Sequence, residues 1–168
     1  MTAARQQRKP PGLASLAKMG LFLLLACGLP CLAPSHAATT ESIVSDPNRG
    51  LAISGFDPVA YFTDAKAAIG REELEYNFAG AIWRFRNEGN RAAFMQNPEI
   101  YAPAFGGYDP MAVARGVAVA GHPQIWAVAG KRLYLFYNTQ AREGFLADPE
   151  SAAAAERKWP VVQQTLSP

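Results

Sequence analysis

An internal repeat is the strongest constraint that this sequence places on its fold. With a shift of 51 residues, eight of the seventeen positions that start at Trp83 pair with an identical or closely similar residue. The pairs are Trp83 with Tyr134, Phe85 with Phe136, Asn87 with Asn138, Arg91 with Arg142, Phe94 with Phe145, Met95 with Leu146, Pro98 with Pro149 and Glu99 with Glu150. Such self-similarity at one fixed spacing indicates two copies of a single supersecondary unit.

The first copy has the pattern of a β-hairpin followed by a helix. Apolar and polar residues alternate between Glu73 and Asn87 on both sides of Ala79-Gly80, which predicts two strands joined by a tight turn. Asn87 is a favourable N-cap, and we expect the helix that it begins to end at Asn97-Pro98.

The second copy predicts the same elements further along the chain. We expect strands at 124–129 and 132–137, a turn at Ala129-Gly130 that is one residue out of step with the first hairpin, a short helix at 111–115, and a closing helix from Glu150 to Lys158 that ends at Trp159-Pro160. An isolated hairpin cannot bury its apolar face. The predicted fold class is therefore α+β, with two β-hairpin-plus-helix pseudo-repeats packed into one small domain.

Residues 1–37 have the pattern of an export signal. Basic residues precede the apolar run from Met19 to Ala26, and Ser35-His36-Ala37 is small at both positions that a signal peptidase reads. The apolar run is too short to cross a bilayer. An alternative start is Cys27, because Leu24-Leu25-Ala26-Cys27 weakly resembles a lipobox, and a lipid on Cys27 would then attach the protein to a membrane.

After cleavage at Ala37, the mature chain would have three regions. We expect a flexible leader at 38–50, a folded domain at 51–160 and a tail at 161–168. The protein would then be periplasmic or secreted.

Removal of the signal also changes the charge and the reactive side chains of the protein. The signal contains four of the 16 Lys and Arg residues and none of the 14 Asp and Glu residues, so 12 − 14 gives the mature chain a net charge of −2. That charge argues against a nucleic-acid partner. Both cysteines lie in the signal, which leaves the mature chain without a disulfide or a thiolate metal site and with His122 as its one histidine.

The joint between the two copies, residues 101–111, is the candidate site. It holds Gly106-Gly107, whose backbone a ligand could approach closely, and it is rich in aromatic residues. The candidate ligand-binding residues are Asp57, Tyr61, Tyr108 and Asp109, and the part of the joint from Phe105 to Met111 is where we expect a small ligand or a metal ion.

Three motifs in order give the chain a family resemblance. They are Gly55-Phe56-Asp57-Pro58-Val59-Ala60-Tyr61-Phe62, then Tyr101-Ala102-Pro103 with Phe105-Gly106-Gly107-Tyr108, then Leu133-Tyr134-Leu135-Phe136-Tyr137-Asn138. The chain from Leu51 to Pro160 resembles the exported YHS-domain proteins of bacteria. The resemblance implies a small α+β domain, in a superfamily that includes metal-associated modules.

One departure from that family bears on the metal. Where the family motif usually runs Gly-Gly-Tyr-Cys, this chain has Gly106-Gly107-Tyr108-Asp109. Aspartate is a hard oxygen ligand and does not replace a thiolate for a soft ion. The metal donors that remain are Asp109, His122 and Met111, which could form a weak open site for Cu(II) or Zn but match no ligand signature. Alternatively, His122 is a surface residue, Met111 is core, and the aspartates cap turns.

The remaining patterns support binding better than catalysis. Six aromatic residues could line a pocket or simply pack in the core: Tyr61, Tyr101, Phe105, Tyr108, Trp126 and Tyr137. The sequence has no Gly-x-Ser-x-Gly motif, and the mature chain has no cysteine nucleophile. Two functions remain open, namely a module that binds a small ligand or metal, and a non-catalytic interaction or scaffold protein that binds no small ligand.

Overall fold

The computed structural model describes residues 42–166, and two antiparallel β-hairpins form the centre of the fold. Strand β1 (Arg71–Phe78) pairs with β2 (Ala81–Phe85), and β3 (His122–Ala129) pairs with β4 (Arg132–Phe136). Each hairpin is followed by a helix of nine residues. The predicted α+β fold with two β-hairpin-plus-helix units is confirmed. The predicted export signal and Cys27 lie outside the described residues.

Six α-helices and two 3-10 turns surround the hairpins within residues 42–166. The helices are α1 (Ala60–Thr63), α2 (Glu88–Gln96), α3 (Pro98–Tyr101), α4 (Pro110–Ala114), α5 (Thr139–Ala147) and α6 (Ser151–Leu166), and the turns are Ile53–Gly55 and Ala104–Gly107. The predicted caps are present, because the side chains of Asn87 and Asn138 each accept a hydrogen bond from the backbone N–H three residues later, at 2.8 Å.

The two hairpins follow one register at a constant shift of 51 residues, including an irregularity. Arg71 pairs with Phe85 and Glu75 with Arg84, just as His122 pairs with Phe136 and Trp126 with Leu135. The expected one-residue mismatch at the turns is wrong. Ala79-Gly80 corresponds to Gly130-Lys131, and all four residues have positive φ, which two-residue hairpin turns with the twist of the strands require.

Strand β4 separates two hydrophobic cores. Leu133 and Leu135 pack in the core of the first repeat, whereas Tyr134 and Phe136 pack in the core of the second. Alternate residues of a strand point to opposite faces, and the four residues of β4 from Leu133 to Phe136 are all buried and largely apolar, as a strand between two cores requires. The repeats therefore share β4 and form one domain.

A phenylalanine on the helix after each hairpin is the centre of each aromatic core. Phe94 lies 4.9 Å from the Trp83 ring and 5.2 Å from the Phe85 ring, measured between centroids. Phe145 contacts Tyr134 at 4.7 Å and Phe136 at 5.3 Å in the same way. Aromatic residues at these paired positions therefore hold each helix on its own hairpin.

The segment before the domain is bound to the fold, contrary to our expectation of a flexible leader at 38–50. The N–H of Val44 donates to the Gly106 carbonyl at 2.8 Å, and Val44 in turn accepts from the N–H of Ile53 at 2.9 Å. Ile43 is buried in the first core. These contacts show that residues 42–50 are part of the domain; residues 38–41 lie outside the described part of the chain.

The closing helix is longer than predicted. Helix α6 continues through Pro160 to Leu166, so the expected end at Trp159-Pro160 and the tail from 161 are wrong. Trp159 packs on Phe105 with ring centroids 5.6 Å apart, and Val162 is fully buried, so packing against the second core outweighs the loss of one backbone donor at proline. Among residues 42–166, no helix is both long and apolar enough to cross a membrane.

The attachment of the N-terminal segment can be tested at Gly106. Its φ is +62°, and a Cβ atom there would collide with the Ser42 carbonyl, whereas Gly116 has a φ of +81° and open space around it. We expect Gly116→Ala to cost about 1–2 kcal/mol, the penalty of a left-handed backbone. Gly106→Ala should cost clearly more in chemical denaturation because it also displaces Ser42. Equal costs would show that the segment contributes nothing to stability.

Candidate functional site

Each repeat begins with a buried aspartate that precedes a proline. Gly55-Phe56-Asp57-Pro58-Val59-Ala60 matches Gly107-Tyr108-Asp109-Pro110-Met111-Ala112 at a shift of 52 residues. Asp57 is fully buried and Asp109 is 2% exposed. A carboxylate removed from water must be compensated by hydrogen bonds, so the donors around each aspartate determine what else it can bind.

Asp57 accepts hydrogen bonds from four donors. Its Oδ1 accepts from the backbone N–H groups of Val59 at 2.8 Å and Ala60 at 3.3 Å. Its Oδ2 accepts from the backbone N–H of Arg86 at 2.8 Å and from the side-chain amide of Asn90 at 2.7 Å. The carboxylate thus links the start of α1 to the end of β2 and to helix α2.

Asp109 repeats three of those four bonds. Its Oδ1 accepts from the N–H groups of Met111 at 2.7 Å and Ala112 at 3.2 Å, and its Oδ2 accepts from the N–H of Tyr137 at 2.8 Å. The position that corresponds to Asn90 is Ala141, whose methyl side chain has no donor. Asp109 Oδ2 therefore keeps an acceptor position that the described residues leave without a donor.

A cavity of about 730 Å³ lies beside Asp109, between α4 and α5. Its apolar lining comes from Met111, Val119, Ala141 and Gly144, and exposed polar side chains stand around it, namely Arg115, Tyr137, Asn138 and Gln140. A largely apolar concave surface with a few polar groups is typical of small-molecule sites. The buried carboxylate is the one acidic group among the lining residues.

The structure places the sequence-predicted site residues in separate surroundings. Asp109 and Met111 line the same cavity. Asp57 is held in the first repeat by its own four donors. Tyr108 is half-buried and packs on Trp159, with ring centroids 6.1 Å apart, and it is not among the residues that line the cavity.

Tyr61 joins the two repeats. It is 1% exposed, its hydroxyl donates to the Pro123 carbonyl at 2.8 Å, and its ring meets Trp126 edge to face at 5.1 Å. Burial, and secondarily the negative charge of Asp57, raises the pKa of Tyr61 above the ordinary value for tyrosine. These contacts describe a structural role for Tyr61 between the first core and β3.

The metal donors predicted from the sequence do not all line the cavity, because His122 is not among its lining residues. His122 is exposed at the start of β3, where its Nδ1 accepts from the N–H of Gln124 at 3.2 Å. Within residues 42–166, no group of three or more His, Cys, Asp or Glu side chains is placed to hold a metal ion. Two residues of the joint, Asp109 and Met111, line the cavity.

Sequence reasoning missed Ala141, Arg115 and Gly144. The signal was present in the sequence, because the repeat extends to the Asp-Pro motifs at a shift of 52 residues, and Ala141 pairs with Asn90 at a shift of 51. Comparing only the hairpins and the helices that follow them did not relate Asp57 to Asp109. The two repeats differ at the unlike pair Asn90 and Ala141, which a search for similar residues does not detect.

The importance of the fourth hydrogen bond can be measured in the first repeat. We expect Asn90→Ala to lower the free energy of unfolding by about 1.5–3 kcal/mol, because it removes a hydrogen bond to a buried charged acceptor. Gln96→Ala, an exposed change on the same helix, should stay within about 0.5 kcal/mol of wild type. If urea denaturation gave the two variants equal stability, the Asn90 contact would be unimportant.

Tyr61 should produce a pH-dependent stability. We expect Tyr61→Phe to cost about 1 kcal/mol near neutral pH, because the hydrogen bond to Pro123 is lost. The pKa of Tyr61 is raised on folding, so the stabilisation is complete below the unfolded pKa of about 10 and is lost as the pH rises above it. The deficit of the variant should therefore shrink above about pH 10. A deficit that stays constant, or that exposed Tyr137→Phe shares, would contradict this.

Comparison with models of known protein families, with curated proteins and with solved structures found no match.

Proposed function

We propose that this chain is an exported, YHS-like binding module that holds a small organic ligand in the cavity beside Asp109. The observation that carries the proposal is a cavity of about 730 Å³ whose lining residues include Asp109, which is only 2% exposed. Small-molecule sites commonly have volumes of about 300–1,000 Å³ and bind through a few polar groups in an apolar lining. A buried charge at such a place gives a ligand both affinity and a fixed orientation.

An organic ligand fits the lining better than a metal ion. Asp109 and Met111 combine a hard oxygen with a soft sulfur, and metal ions that prefer one of these generally do not prefer the other. Three backbone N–H groups already occupy the Asp109 carboxylate. A hydrogen-bonded ligand needs one free acceptor position, whereas a metal ion would need several further donors.

The compartment and family parts of the proposal rest on the sequence. The basic and apolar pattern of residues 1–37 supports export to the periplasm or the medium. The three ordered motifs between Leu51 and Asn138 support the YHS-like assignment. An exported binding module would meet its small ligand outside the cytoplasm, and Cys27 would add a membrane anchor if it carries a lipid.

The proposal predicts a ligand that can be excluded by one substitution. We expect native mass spectrometry of protein purified from the periplasm or medium to show a bound small molecule. Ala141→Leu should abolish it, because the larger side chain extends into the cavity. Ala92→Leu is the matched control, since Ala92 is exposed on the corresponding helix α2, and it should retain the ligand.

The scaffold alternative predicts a different result. A protein that binds no small ligand would show no added mass in wild type or in either variant. Ala141→Leu would also leave its interaction with other proteins unchanged. That outcome would overturn the proposal.

A further inference from the structure

The frame around the two aspartates is repeated closely enough for its differences to be informative. In both repeats Oδ1 accepts from the two N–H groups that follow the proline, and Oδ2 accepts from the N–H of the residue after the second strand. The aspartate N–H also donates to a matching carbonyl, Ala68 for Asp57 and Val119 for Asp109, at 2.8 Å in each case. The two carboxylates are thus held alike by the same main-chain groups.

One donor distinguishes the two frames. Asn90 points its carboxamide at Asp57 Oδ2, at a distance of 2.7 Å, and it is itself buried. Helix α5 begins with the same Asn cap as α2, so Ala141 occupies the helical position of Asn90. Replacement of asparagine by alanine removes both the NH₂ donor and the volume of the carboxamide from the side of Asp109.

The cavity lies at this altered position. Ala141 and Asp109 are both among its lining residues, and so is Gly144, whose counterpart in the first repeat is the larger Ala93. A Cβ atom at Gly144 would meet only the Met111 Cε, at 3.7 Å, so packing does not require glycine there. Two small residues on α5 thus line the cavity at positions where the first repeat has the larger Asn90 and Ala93.

The chemistry that fits this position follows from the first repeat. A carboxylate oxygen can accept two hydrogen bonds, and Asp109 Oδ2 receives one from the described residues. Asn90 shows that a planar NH₂ group supplies the second bond to an aspartate held in this way. The hydrogen bond is stronger when the donor also carries positive charge, because the acceptor is a carboxylate.

We propose that the ligand presents a planar NH₂ group, as in an amidine, guanidine or carboxamide, to Asp109 Oδ2, where it takes the place that the Asn90 side chain takes on Asp57. This inference rests on the proposed function, since it assigns a ligand class to the same cavity. The rest of the ligand lies against Met111 and Val119, which suits a flat apolar body. A ligand that offers only a carboxylate supplies no donor to Asp109, and Arg115, the cation among the lining residues, is exposed, where an ion pair contributes little.

Three probes of nearly equal shape test the assignment. Benzamidine carries a cationic NH₂ group, benzamide a neutral one, and benzoate a carboxylate without an N–H donor. In NMR titrations of the wild-type protein, we expect benzamidine to bind at least about ten-fold more tightly than benzoate, with benzamide between them. The backbone amides of Met111, Ala112 and Tyr137 should shift, because they share the Asp109 carboxylate with the probe.

Two substitutions at Ala141 separate the donor from the volume. In Ala141→Asn the new carboxamide should reach Asp109 Oδ2, as Asn90 reaches Asp57, and should abolish benzamidine binding while raising the melting temperature. Ala141→Leu has nearly the same shape without the donor, so it should block binding without that gain. Both variants leave Asp109 and its main-chain donors unchanged.

The outcomes distinguish this inference from the proposed function. If the co-purified ligand lacks an N–H donor, or if benzoate binds as tightly as benzamidine, the ligand class is wrong while the binding function stands. If Ala141→Asn is no more stable than Ala141→Leu, the correspondence with Asn90 is wrong. If no molecule co-purifies and none of the three probes binds, the proposed function itself is overturned.

Discussion

One buried carboxylate holds each repeat together, and the rest of the structure depends on how its charge is compensated. Asp57 connects the turn before α1 to the residue after β2, and Asp109 connects the start of α4 to the residue after β4. Asp57 thus bonds to a residue 29 positions later in the chain, and Asp109 bonds to one 28 positions later. Hydrogen bonds to a charged acceptor are stronger than neutral ones, and an uncompensated buried charge is costly. The residues around each aspartate must therefore supply hydrogen-bond donors to its carboxylate.

The two copies of this frame differ in one side-chain donor and in the space beside the carboxylate. In the first repeat Asn90 completes the donor set of Asp57 and fills the space beside it. In the second repeat Ala141 leaves Asp109 with three donors, and Arg115 and Tyr137 stand around the resulting cavity. Helix α6, which covers the second core, has a counterpart of only four residues in α3. The proposed site thus lies where the two repeats differ.

Much of the fold could be predicted because it depends on local patterns. Alternating apolar residues and two asparagine caps located both hairpins and the helices after them, and Asp109 and Met111 of the predicted joint line a cavity. The errors arose where distant packing decides the conformation. Residues 42–50 lack a local pattern but bind Gly106 and Ile53, and α6 passes through Pro160 because Trp159 and Val162 pack on the second core. Periodicity does not report such contacts.

The sequence by itself determined the two-repeat α+β architecture, since a periodic apolar pattern and its caps act within a few residues of each other. It also identified Asp109 as a candidate, because an aspartate is an unusual residue in this glycine-rich joint. Only the tertiary structure decided that matching main-chain donors hold Asp57 and Asp109, that His122 does not line the cavity, and that Ala141 does. The reason is physical, because a binding site depends on which donors and volumes from distant segments converge on one atom.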